Sequence, residues 1–131
     1  MKSSIVQKAV LLIAGLTAIF IGGSILASPD AFYTAYGISL VGDVSLTNEL
    51  RASGGSVVML GVLTLAGLAF ARFALASTLL AAAMYLAYGA SRLLSLGLDG
   101  HPDAGLVTAM IAELVIGLAS LAALIAARKT A

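Results

Sequence analysis

Residues 104–127 read AGLVTAMIAELVIGLASLAALIAA, 24 residues with one charged side chain, Glu113. As a helix this run rises about 36 Å at 1.5 Å per residue. That is enough to cross a bilayer hydrocarbon core of about 30 Å. Backbone groups in lipid must be satisfied internally, so a span is either a helix or a strand of a closed barrel. The run is continuously apolar rather than alternating, and it is rich in Ala, Leu and Gly. A helix follows.

Working outward, three more runs have the same character, over about residues 5–27, 47–71 and 73–98. The sequence therefore predicts an all-α fold, a transmembrane four-helix bundle. The first run competes with a signal peptide, in which Lys2 and Lys8 would be the basic region and Ala27 the cleavage position. Its apolar stretch is longer than a typical signal core, which favours a span. Composition agrees with lipid as the main solvent: 61% of the 131 residues are hydrophobic and 10% charged, against about a quarter charged in a soluble domain. A chain of this length forms one domain, residues 1–131.

Charge sorts the connections. Lys2, Lys8, Arg72, Arg128 and Lys129 fall on one side with no acid among them. Asp30, Asp43, Glu49, Asp99 and Asp103 fall on the other, with Arg51 and Arg92. The positive-inside rule then expects both termini in the cytoplasm of a multi-pass inner-membrane protein. The long first extracytoplasmic loop, residues 28–46, contains a helix signal: Ser28 as a hydroxyl N-cap, Pro29 at the first position and Asp30 in the first turn. Phe32, Tyr33 and Tyr36 follow, and Gly37 can end the turn. This predicts a short interfacial helix anchored by aromatic rings, with a lid over a pocket as the alternative.

The ionisable groups within or near the spans form the candidate site. Glu49 and Arg51 begin the second span at headgroup level. Arg92 lies ~9 Å inside the outer end of the third, and Glu113 lies ~14 Å inside the fourth. Helical side chains tilt toward the N-terminus, so Arg92 leans deeper and Glu113 leans outward, and the two charges converge. An unpaired charge at such depth costs at least ~2.5–3.5 kcal/mol. A buried Arg92–Glu113 ion pair is therefore expected. Tyr85, Tyr88, Arg92, Ser95 and Asp99 share one face of the third helix by their spacing of three and four, with Glu113 a natural acceptor for the Tyr88 phenol. The track ends in a closed pocket, above an apolar cytoplasmic half. It is read either as a ligand site or as a device that fixes helix register.

Small residues at four-residue spacing, Ala14/Ala18/Gly22, Ala83/Ala87/Ser91 and Ala119/Ala123/Ala127, are candidate packing seams, within the bundle or in a homo-oligomer. Other chemistries find little support. There is no cysteine and a single histidine, His101, which leaves no thiolate or bis-histidine site for a metal or haem cofactor. Asp99, His101 and Asp103 alternate in a turn, but Asp103 capping the fourth helix is the simpler reading. Ser53-Gly54-Gly55-Ser56 lacks the phosphate-loop lysine. A net charge of +1 offers no footprint for nucleic acid.

Asn48-Glu49-Leu50-Arg51 with Gly54-Gly55, and Tyr88-Gly89 through Arg92, Ser95, Asp99-Gly100 and Pro102, resemble a known family. It is the small bacterial four-span family called domain of unknown function 4345, similar in layout to the DoxX-like proteins. The resemblance implies an inner-membrane four-helix bundle and no particular activity, and it points to Glu49, Arg51, Arg92 and Glu113 as family-type polar positions. Three functions compete. The leading one is a non-catalytic accessory subunit or binder of a lipid-like molecule, with membrane lipid and a larger membrane complex as partners. The others are a proton- or solute-coupled transporter acting as an oligomer, and an enzyme using Glu113 as acid/base on an apolar substrate.

Overall fold

The computed structural model describes residues 4–129; Lys2 lies outside them. The described residues are helical with no strand. The order is α1 (Ile5–Ala27), α2 (Pro29–Thr34), α3 (Val44–Ala69), a 3-10 turn (Ala71–Phe73), α4 (Ala74–Asp99) and α5 (Ala104–Lys129). Helices α1, α3, α4 and α5 are long and apolar enough to cross a membrane. They run alternately up and down, which puts α2 and the α4–α5 turn at one end of the bundle and the start of α1 and the end of α5 at the other.

Caps set the boundaries. Ser4 accepts a hydrogen bond from the Gln7 amide at 3.1 Å, and Asp43 accepts one from the Leu46 amide at 2.9 Å. Asp43 thereby starts α3 at Val44, three residues before the expected 47. Asp103 accepts from the Gly105 amide at 2.8 Å, in keeping with its expected capping role. Gly100, at φ 101°, ends α4 in a conformation that side chains with a Cβ rarely adopt. Ser28 departs from expectation. Its side chain makes no capping bond. With one residue between α1 and α2, Ser28 instead serves both through its backbone, donating to the Ser24 carbonyl and accepting from the Phe32 amide.

The backbones approach around the ring α1–α3–α4–α5 and across the diagonal between α1 and α4, while those of α3 and α5 stay more than 8 Å apart from Cα to Cα. Glycines allow the two tightest pairings. A Cβ on Gly22 would sit 2.6 Å from the Gly54 carbonyl oxygen, and one on Gly61 would sit 2.9 Å from that of Gly15. Gly22 thus faces Gly54 and Gly15 faces Gly61, a seven-residue repeat on both α1 and α3. On the other flank Gly89 receives Leu114 and Gly117 receives Leu86. In lipid, where apolar burial drives no association, such close approach supplies the attraction.

Of the expected seams, Ala14/Ala18/Gly22 is buried, but Ala83, Ala87 and Ser91 all face outward. Four-residue spacing alone does not say which stripe of an alanine-rich helix turns inward.

The half of the bundle nearest the termini is less apolar than its sequence suggests. Gln7, Thr64, Ser77 and Thr78 are buried there. The Gln7 amide donates to Thr78 Oγ1 at 3.0 Å, which in turn donates to the Ala74 carbonyl. Thr64 and Ser77 donate to the Leu60 and Leu63 carbonyls. Each hydroxyl bonds to helix backbone, so a low-hydropathy position is accommodated without opening the core.

Candidate functional site

Between the four long helices, toward the α2 end, lies a cavity of about 260 Å³. Its floor is close-packed: Ala14 and Ala81, just beneath, are fully buried. Ala18, Val57, Met84 and Ile116 form much of the apolar wall. Tyr85 contributes its ring, while its hydroxyl donates to the Ala14 carbonyl at 2.6 Å. That bond ties α4 to α1 with the same sequence offset as Gln7–Thr78, as parallel helices require.

Arg92 and Glu113 meet in this space. Arg92 Nε donates to Glu113 Oε2 at 2.8 Å, with the two side chains 33% and 14% exposed. The expected ion pair is present, and it uses one of the guanidinium's five N–H donors. Among the described residues the two terminal amino groups of Arg92 have no hydrogen-bond partner, and neither does Glu113 Oε1. Tyr88 lines the cavity beside them, but its hydroxyl does not bond to Glu113, contrary to the expectation from spacing. No side-chain nitrogen or oxygen shut away from solvent lacks a partner among the described residues. The free atoms therefore face open space. On its far side Arg92 borders a second cavity of about 100 Å³, lined also by Ser95, Leu96, Pro102 and Met110. Ser95 and Asp99, further along the α4 track, are exposed and bond to each other at 2.7 Å.

Helix α2 roofs the large cavity. Phe32, Tyr33 and Tyr36 all line it, with the Phe32 ring edge-on to the other two at 5.2 and 5.4 Å. Tyr36 also packs on the start of α5, where a Cβ on Gly105 would meet its ring at 2.8 Å. Burial raises the Tyr33 phenol above its usual pKa; nearby Tyr88 adds to the rise and Arg92 opposes it. The aromatic cluster expected as an interfacial anchor thus also has the geometry of a lid. Its place over the cavity depends on how residues 35–43 fold back, which no local spacing encodes.

The six residues that sequence singles out divide. Tyr85, Tyr88, Arg92 and Glu113 line the cavity. Glu49 and Arg51 do not; both are exposed on the first turns of α3. Arg51 donates through Nη1 to the Leu26 carbonyl in the last turn of α1, satisfying an acceptor that the helix end leaves open. Glu49 makes no hydrogen bond or ion pair among the described residues. Thr17 and Ser53 also reach the cavity, and their isolated hydroxyls carry no sequence signal beyond their helix face. Asp99, His101 and Asp103 do not gather: among the described residues no three His, Asp or Glu side chains form a metal-binding group.

The fold and site define a small multi-pass helical membrane protein with a polar pair set in an apolar cavity. Residues 6–124 match the family described as "Domain of unknown function (DUF4345)", and the chain belongs to it. No curated protein and no solved structure matches the chain.

Proposed function

We propose that this protein is a non-catalytic binder of a lipid-like molecule, held in the bacterial inner membrane with both termini cytoplasmic and acting alone or as the accessory subunit of a larger membrane complex. The observation that carries the reading is the Arg92–Glu113 pair, set in a cavity whose other walls are mostly apolar. Small-molecule sites have this make-up, a largely apolar space with a few convergent polar groups. A pair that served only to lock helix register would be better placed in a filled core with its remaining valences satisfied.

Access from the bilayer supports the same reading. Residues 44–53 at the start of α3 include none that is buried, and α4 has none beyond Gly89. Neither helix buries a residue at the α2 end, and the space between them there is read as the sideways entrance for a chain. Transport fits less well, because Leu11, Ala14, Thr78 and Ala81 close the bundle below the cavity. Lys8, Arg72, Arg128 and Lys129 all lie at the opposite end from α2, which supports the orientation.

Native mass spectrometry of protein released from its own membranes tests this. The expected result is one retained amphiphile per chain, lost when Ala109→Phe fills the cavity. Retention of nothing, or equal retention by Ala109→Phe, would sink the reading.

A further inference from the structure

We infer that the molecule this cavity takes has an uncharged head bearing a hydroxyl or carbonyl oxygen, and neither an anionic nor a cationic head. The inference rests on the binder reading above and names its ligand class. Three features of the site converge on it.

The first is charge. Arg92 and Glu113 neutralise each other at 2.8 Å, so the polar end of the cavity has no net charge to offer. A carboxylate, sulfonate or phosphate drawn to Arg92 would come up against Glu113, and an ammonium drawn to Glu113 would come up against Arg92. The second is the surround. Ile21, Ile25, Val57, Leu106 and Ile116 line the same space, and a third charge brought among them would lose its hydration without a counter-charge. The third is the pattern of free valences. Arg92 keeps its terminal N–H donors, Glu113 keeps Oε1 as an acceptor, and the phenol of Tyr88 can do either. Donors and acceptors side by side are complementary to an alcohol, which both gives and takes a hydrogen bond, and the donors alone suit a carbonyl. Tyr33, which lines the roof, adds a further neutral phenol.

The test compares one chain with three heads: dodecanol, dodecanesulfonate and dodecylammonium. Each is titrated calorimetrically into the full protein in phosphatidylcholine nanodiscs, with empty discs as the partition control. Dodecanol should bind about tenfold or more tightly than either ion. Glu113→Gln keeps an acceptor for Arg92 Nε but removes the charge, and preference should turn to dodecanesulfonate. Arg92→Gln leaves a lone carboxylate, and preference should turn to dodecylammonium. Thermal unfolding of each variant identifies any that fails to fold, and the other variant then carries the comparison. Preference of the unaltered protein for an ion overturns the neutral-head inference and leaves the binder reading standing. Unchanged preference in folded variants also overturns it. Failure of all three to exceed empty discs overturns the binder reading itself.

Discussion

Arg92 and Glu113 stand 21 residues apart in the chain and meet at 2.8 Å because each helix aims its side chain toward its own N-terminus. That direction, together with rise per residue, makes the pair legible in the sequence. The same reasoning falls short for Arg51. Depth alone does not distinguish a side chain that enters the bundle from one that reaches along the surface to a helix-end carbonyl, as Arg51 does to Leu26. Tyr88 shows a related limit: it shares a face with Arg92, yet its hydroxyl is left to the cavity. Coupling within the pair is the quantity to measure. In a cycle of Arg92→Ala, Glu113→Ala and the double variant, followed by unfolding in mixed micelles, the two losses should be non-additive by about 1 kcal/mol. The double variant should be more stable than the sum of single losses requires, because each single change strands a partly buried charge. Additive losses would contradict the pairing.

At the scale of elements, the four long helices are legible from apolar run length, which is the physics of the bilayer rather than of any motif. Their packing is less so. The close approach of α1 to α3 uses glycines at positions 15, 22, 54 and 61, spaced by seven, while the sequence draws attention to small residues spaced by four. Alanine is common on every face of these helices, so spacing marks many stripes and only contact selects one. Gly22 and Gly23 make a paired control. A Cβ at Gly22 would collide with the Gly54 carbonyl oxygen at 2.6 Å, whereas nothing lies within 4 Å of one at Gly23. Gly22→Ala should lower stability by about 1–3 kcal/mol through overpacking against backbone. Gly23→Ala should leave stability unchanged or slightly raised, since alanine is the better helix former. Equal effects at the two positions would contradict the packing of α1 on α3.

Over the whole molecule, the two halves of the bundle handle polarity in different ways. Toward the termini, buried Gln7, Thr64, Ser77 and Thr78 turn their hydrogen bonds onto helix backbone or one another, and the interior closes. Toward α2, Arg92, Glu113 and Tyr88 leave bonding capacity unused around open volume, with an aromatic helix above. The sequence shows an asymmetric molecule, with the ionisable groups that lie within its spans, Arg92 and Glu113, in one half. It does not show that the other half is polar in part, because a hydroxyl satisfied within its own helix leaves no mark on hydropathy beyond a single low value.

If the α2-end cavity, and no lipid-facing groove, holds an amphiphile, the bound chain should be traceable to that cavity. Photolabelling with a diazirine-bearing dodecanol in native membranes, mapped by peptide, tests this directly. Adducts should concentrate on Tyr33, Tyr88 and Glu113 and be abolished by Ala109→Phe. Adducts spread along the exposed faces at Leu94, Ile111 and Val115, with the cavity residues unlabelled, would contradict binding in the cavity.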